Sequence, residues 1–453
     1  MSTLAAVVLA AGKGTRMKSE TPKVLFPVAG KPMLQHIVDT LSAAGVSETY
    51  VVVGYQAQQV KDSVHGDITW VEQRQQLGTG HALAQAATHL RDYSGDVLVL
   101  TGDIPLLSTE SLAQLVETHR QDKNAATVLS AKVPEPRGYG RIVRAGNGRV
   151  EAITEERDAT DKERAINEIN SGAYCFNWRR VGPLLERLNT NNAQGEYYLT
   201  DIFSLLVLQG EHTGAYAVED YKEVSGVNDR VQLAQVEREM RLRINYRLMR
   251  GGVTIVDPHT TWIDSQVRIG SETVIMPNTH VYGDSQIGDH CVLGPDTTLR
   301  SCQLGNAVSI RNSVAEEATI GPESNVGPFA YLRPGAEIGR GVRIGDFVEI
   351  KNSQIGDGSK VPHLTYVGDA QVGSKSNIGC GVITANYDGK TKHKTEIGDD
   401  VFIGSNSNLI APVKVEDGAY VAAGSTITDS VPARALAIAR SRQTVKADWR
   451  KRD

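Results

Sequence analysis

The chain has no run of 18 apolar residues, so no segment of it reads as a membrane-spanning helix. It has only four cysteines, Cys175, Cys291, Cys302 and Cys380, and no C-x-x-C pair among them. That argues against a zinc site or a disulfide framework and fits reduced thiols in a cytosolic protein. Positive charge is not in excess: 48 Lys+Arg against 53 Asp+Glu leave a net charge of −5. A general nucleic-acid binder needs a basic surface, so that class is set aside, while a few local cations can still hold anionic small molecules. The apolar start from Leu4 to Ala11 has no basic segment before it and runs straight into Gly12-Lys13-Gly14, so it reads as a buried strand rather than a signal core.

What is present falls into two patterns. A length of 453 residues exceeds one ordinary domain. Glycine is uneven, with 20 in residues 1–250 and 24 in the shorter stretch 251–453. In the first half, short apolar strands (4–10, 50–53, 97–100) alternate with amphipathic helices. One helix starts after Pro32, stops at Gly45 and repeats Met33, Leu34, Ile37, Val38 and Leu41 at helical spacing; another covers 79–90. This predicts a Rossmann-like α/β domain with a mostly parallel sheet and a site beyond the carboxyl ends of its strands. Residues 229–250 space Val231, Leu233, Val236, Met240, Ile244 and Leu248 as a helix face, with arginines interleaved and Gly251-Gly252 at the end. They read as a connecting helix with a solvated basic face.

From Ile269 to Ile403 an aliphatic-Gly pair recurs fourteen times, most gaps lying within one residue of a multiple of six. That period is the signature of a hexapeptide parallel β-helix, each aliphatic pointing into the coil and a small residue two positions before it filling the corner. The gap from Ile378 to Ile397 is 18 plus one and holds the polar, basic segment 384–394. A charged loop that interrupts a repeat array is where function is expected.

The sharpest motif is Leu9-Ala10-Ala11-Gly12-Lys13-Gly14-Thr15-Arg16, followed by Pro22-Lys23. Its glycines let backbone N–H groups approach phosphates, and Arg16 and Lys23 can neutralise charge on a leaving pyrophosphate. Thr101-Gly102-Asp103 ends a buried strand with a hard oxygen ligand suited to Mg²⁺ beside phosphates. These motifs resemble the signature of the sugar-1-phosphate nucleotidyltransferases. The resemblance implies a metal held between Asp103 and Asn228, and a uracil-reading segment at Gln73 and Gln76-Leu77-Gly78-Thr79. It also implies sugar contacts from Gly140, Glu155 and Asn170. Glu196-Tyr197-Tyr198-Leu199-Thr200-Asp201 matches a further signature to which no chemistry attaches. No general base is required, because a sugar-1-phosphate is already an anionic nucleophile.

The second half resembles the left-handed β-helix acyltransferases. The whole chain is similar to the bifunctional N-acetylglucosamine-1-phosphate uridylyltransferases/glucosamine-1-phosphate N-acetyltransferases. That resemblance makes His363 a general base, with Arg333, Lys351 and Lys392 expected around it. Tyr366 and Asn377 join these cations in the acetyltransferase sugar pocket, and Cys380, Asn386, Tyr387, Ser405, Ala423 and Arg440 contact acetyl-CoA. Cys380 stands where alanine is common, through a backbone contact. The implied domains are 1–228 (nucleotidyltransferase), 229–250 (helical linker) and 251–453 (left-handed β-helix with a C-terminal tail). The implied co-substrates are UTP and acetyl-CoA with Mg²⁺, the implied assembly a homotrimer and the location cytoplasmic, with a product for cell-wall peptidoglycan and lipopolysaccharide synthesis. No nucleic-acid or membrane partner is expected. Two other readings compete: a single-activity nucleotidyltransferase whose β-helix only drives oligomerisation, and a non-catalytic subunit that kept both folds.

Overall fold

A computed structural model describes residues 4–450. The chain divides into two compact units that meet between Met240 and Arg241.

In the N-terminal unit β1 (Leu4–Ala10), β2 (Glu48–Val53), β3 (Thr69–Glu72) and β4 (Asp96–Thr101) form a parallel block in the order β4-β1-β2-β3. Both faces of β1 are covered, which is why its sequence is continuously apolar. Ala5 and Val7 pack into one core cluster and Ala6 and Val8 into the other. The helix after Pro32 covers Met33–Ala43 and closes at Gly45, whose φ of 74° a β-carbon would disfavour. Along its seven-strand path the sheet is mostly parallel, as expected, with one strand beyond β4 running against the others. The strand Glu168–Asn177 lies antiparallel between β4 and Ala126–Lys132, and the hairpin Arg141–Arg144/Val150–Thr154 hangs from it. The sheet is therefore mixed. The hairpin turns the chain back before it re-enters, so no crossover helix is needed to reach the neighbouring position.

The helix expected at 229–250 is continuous from Arg230 to Arg250, with Arg238, Arg247 and Arg250 exposed and its other side packed. In its first half Val236 joins a cluster with Met17, Phe26, Met33 and Leu106, and Glu237 accepts from the Ala29 N–H at 2.7 Å. In its second half Ile244 and Asn245 are buried, with Asn245 Nδ2 donating to the carbonyls of Pro258 and Thr261. Arg241, read as a solvated cation, is buried with its guanidinium over the Trp262 ring. A planar guanidinium can stack on an indole face where an ammonium would need water.

The C-terminal unit is a parallel β-helix of three faces, with 11, 10 and 9 strands. Successive coils stack in register: Ile275 beside Leu293, Val281 beside Leu299, Ile287 beside Leu304. Beyond Ile269, which is half-buried, each repeat aliphatic is buried, worth roughly 1.5–3 kcal/mol against exposure. The residue two positions earlier is small and buried, as at Thr273, Ser285, Ser324, Ser359 and Ser376. The corner hydroxyls donate to carbonyls of the following coil: Ser324 Oγ to Gly339 O and Ser359 Oγ to Gly373 O, both at 2.7 Å. The coil pairing Asn325 with Arg343 holds 18 residues and the next, to Lys360, holds 17; the coil from Asn377 to Phe402 holds 25. The 19-residue gap in the repeat is therefore not a turn of 18 plus one. It is one further strand, Ile383–Ala385, followed by a loop before Thr395.

No helix among the described residues is long and apolar enough to cross a membrane.

Candidate functional site

The first site lies at the carboxyl ends of β1 and β4. Leu9, Ala10, Ala11, Gly12, Lys23, Gln73, Gly78, Thr79, Thr101, Gly102 and Asp103 all line one cleft of about 440 Å³; Lys13 and Glu196 line it too. Gly102 N donates to Leu9 O at 2.9 Å, tying the two strand ends together. Gly14 sits at φ 60°, and a β-carbon there would lie 2.6 Å from Lys23 Cβ. The loop thus closes onto Lys23 only if residue 14 is glycine. The Lys23 ammonium pairs with the Asp103 carboxylate and also reaches Asn228 Oδ1 at 3.3 Å, and Arg16 Nη2 donates to the same oxygen at 2.8 Å. Four residues spread over more than 200 positions meet at one point. Asn228 is held there by Gln232 on the following helix, and Arg230 Nε donates to Met17 O.

No group of three or more His, Cys, Asp or Glu able to hold a metal occurs among the described residues. Asp103 and Asn228 nevertheless aim two hard oxygens at a single cation, the Lys23 ammonium. That donor set suits Mg²⁺, which takes few protein ligands and fills its shell with water and phosphate oxygens.

Gly140, Glu155 and Asn170 form a second group outside that cleft lining. Asn170 N donates to Gly140 O at 2.9 Å, and a β-carbon on residue 140 would lie 3.5 Å from Glu155 Oε2. Burial raises the Glu155 carboxyl above its ordinary range, and Asp158, Asp201 and Glu196 push the same way against one donor, Thr200. Arg141 and Glu156 escaped the sequence reading. Arg141 is 2% exposed and pairs with Glu156 at 2.8 Å, and Glu156 also accepts from Gly138 N. This pair braces the turn that carries Gly140.

The second site runs along one edge of the β-helix. Asp346 and His363 are register neighbours on adjacent coils, and Asp346 Oδ1 is hydrogen-bonded to His363 Nδ1. That bond holds the Asp346 carboxyl below its usual range. The next coils continue the same edge. Gly381 N donates to His363 O, Asn406 N to Cys380 O and Gly424 N to Ser405 O, and Arg440 Nη1 donates to Ala423 O at 2.7 Å. His363, Cys380, Ser405, Ala423 and Arg440 therefore form one ascending column.

Arg333, Lys351 and Tyr366 lie on the face that follows this edge, where Tyr331, Glu349 and Tyr366 stack in register. Arg333 donates to Glu349 Oε1 at 2.8 Å. Asp388 folds the inserted loop by accepting from the N–H groups of Lys390 and Thr391 and by bonding His393, so that Tyr387 bridges Lys392. This brings Lys392 to Lys351, whose like charge lowers the Lys392 pKa. Burial acts to raise the Asp369 carboxyl, but donors from Asn352 and Asn386 and the two lysines hold it low.

Two of the expected neighbourhoods are not built by direct contacts within one chain. No hydrogen bond or ion pair joins His363 to Arg333, Lys351 or Lys392 among the described residues; its partner is a carboxylate. Asn377 lies on the other face, between Lys360 and Phe402, and not beside Tyr366. The backbone turns at Leu364, φ 45°, so residues three apart in sequence leave the edge in different directions. Asp346 could have been found from sequence: it precedes His363 by one 17-residue coil.

Residues 6–170 match the family of MobA-like NTP transferase domains, and 266–301, 317–352 and 394–429 match bacterial transferase hexapeptide repeats. A nucleotide cleft followed by a histidine-bearing hexapeptide β-helix defines a two-domain transferase. The bifunctional protein GlmU of Acetivibrio thermocellus is 51% identical over 99% of this chain and 97% of its own length. That of Shouchella clausii is 50% identical over the full length of both, and that of Clostridioides difficile 48% over 98% and 96%. The chain belongs to the GlmU family, the bifunctional glucosamine-1-phosphate N-acetyltransferases and N-acetylglucosamine-1-phosphate uridylyltransferases.

Proposed function

We propose that the two sites divide the two reactions as their geometry suggests. At the β-helix edge, His363 takes the proton from the glucosamine-1-phosphate ammonium. The freed amine then attacks the thioester of acetyl-CoA laid along the column from Cys380 to Arg440, and CoA leaves as the thiol. Asp346 holds the imidazole with Nε2 free for that proton. Arg333, Lys351 and Lys392 carry charge suited to the sugar phosphate. In the N-terminal cleft the phosphate oxygen of N-acetylglucosamine-1-phosphate attacks the α-phosphorus of UTP, and pyrophosphate leaves as UDP-N-acetylglucosamine forms. Gln73, Gly78 and Thr79 flank the base, while Gly140, Glu155 and Asn170 take the sugar. Arg16 and Lys23 face the departing charge. Mg²⁺ at Asp103 and Asn228 would supply neutralisation of the phosphate oxygens. The observation that carries this reading is the convergence of Arg16, Lys23, Asp103 and Asn228 on one point.

The N-terminal catalytic domain is best ended at Met240 rather than 228, because Arg230, Gln232 and Glu237 brace its loops. The substrates are cytoplasmic metabolites, and the cytoplasm is where we place the protein. With glucosamine-1-phosphate, acetyl-CoA, UTP and Mg²⁺, both free thiol and pyrophosphate are expected, pyrophosphate only after acetylation. Pyrophosphate from supplied N-acetylglucosamine-1-phosphate with no thiol release would leave a single-activity enzyme on an oligomerising β-helix.

A homotrimer with shared acetyltransferase sites explains why His363 and Asn377 do not meet the cations of their own chain. Lys392→Ala and His363→Ala chains, each impaired in acetylation, should regain some activity when refolded together into mixed trimers. Verified mixed trimers with none would mean that each chain builds its own site.

A further inference from the structure

The segment Glu196–Asp201 joins the two halves of the uridylyltransferase site. Tyr197 N donates to Leu77 O and Gly80 N donates to Tyr197 O, both at 2.8 Å, and Leu199 N donates to Thr79 Oγ1 at 3.1 Å. A β-carbon on Gly78 would lie 2.6 Å from Tyr197 O, so the loop flanking the base accepts this strap only as glycine. Three residues on, Thr200 is 3% exposed and its Oγ1 donates to Glu155 Oε1 at 3.2 Å. Among the described residues this is the one hydrogen bond the Glu155 carboxylate receives.

We propose that Thr200 is a positioning residue of uridylyl transfer, holding the Glu155 carboxylate ionised and turned toward the sugar. This rests on the reading of Glu155 as a sugar contact. The groups facing Glu155 make the donor necessary. Asp158, Asp201 and Glu196 are all acidic, and Tyr174 and Tyr198 stand close enough to feel its charge. Neither tyrosine hydroxyl donates to it: Tyr198 is engaged with Asp158, and the Tyr174 hydroxyl meets Asn170. Among the described residues no ion pair reaches Glu155, and Thr200 is the donor that favours its ionised form. A protonated Glu155 would lose half of its acceptor capacity for sugar hydroxyls.

Thr200→Val removes the hydroxyl and keeps the shape. The KM for N-acetylglucosamine-1-phosphate should rise about tenfold, the scale of one hydrogen bond to a charged group. The KM for UTP and the acetyltransferase rate should stay near wild type. Losing the donor raises the Glu155 pKa further, so the acidic limb of kcat/KM for the sugar phosphate should move to higher pH, and Thr200→Ser should restore both values. If Thr200→Val fails to fold, Thr200→Ala is read the same way. An unmoved acidic limb, or equal rises in both KM values without rescue by serine, would overturn the role. Glu155→Gln separates the two claims. If it leaves the sugar KM unchanged, the sugar reading of Glu155 falls and the proposal with it; if it raises that KM while Thr200→Val does not, only Thr200 is wrong.

Discussion

His363→Ala should lower kcat for acetyl transfer by roughly two to four orders of magnitude, the span of a lost acid–base group. Substrate affinity should change far less, because the cations expected to hold the sugar phosphate are not bonded to His363. Uridylyl transfer should stay near wild type, since its cleft is built within the other compact unit. Raising the pH should partly rescue the mutant, because more of the substrate amine is then already neutral. The bond to Asp346 adds a companion expectation. Asp346→Asn keeps the shape but removes the anion that steadies an imidazolium, so kcat should fall by roughly ten- to a hundredfold with little change in KM. Steady-state kinetics of thiol release checks both. A His363→Ala enzyme with wild-type acetylation at pH 7, or a folded one that loses both activities, would remove His363 from this role.

Asp103→Ala should lower kcat for uridylyl transfer by roughly a hundredfold or more, while acetyl transfer is untouched. Two effects act together. The substitution removes an oxygen from the cation position that Asp103 shares with Asn228, and it frees the Lys23 ammonium from its carboxylate. Their consequences differ. Loss of a metal ligand should steepen the dependence on Mg²⁺ concentration, whereas an unpaired lysine alone should not. Pyrophosphate release measured across a Mg²⁺ titration, with excess EDTA as the end point, reads this directly. Uridylyl transfer that survives EDTA would show that Lys23 and Arg16 neutralise the phosphates without a metal.

Much of the fold was legible because its signals are local. A strand covered on both faces must be continuously apolar, as Ala5 to Val8 are, and a helix must begin and end near residues such as Pro32 and Gly45. The hexapeptide period survives because coil after coil sets a buried Ile, Leu or Val at the same place and, in most, a small residue two positions before it. The antiparallel strand Glu168–Asn177 was not legible, since apolar strands of either direction look alike once both faces are covered. Arg241 was misread for a related reason. A helical wheel shows which side a residue occupies but not that Trp262, 21 positions later, stands over it.

The same division applies to the sites. Sequence alone determined which residue types stand ready: the glycine loop with Arg16 and Lys23, the aspartate ending a buried strand, the histidine and the interrupted repeat. Each is a short-range pattern whose chemistry is written in its composition. Tertiary structure decided which of them meet. It set Asn228 against Arg16 and Lys23 across more than 200 residues, and it gave His363 an aspartate partner from the coil below. It sent Asn377 to a different face from Tyr366, and it turned an unassigned signature at Glu196–Asp201 into a strap between the base loop and Glu155. These outcomes follow from where strands end and backbones turn, as at Leu364 and Gly14, and the packing of the whole sheet or coil sets those turns.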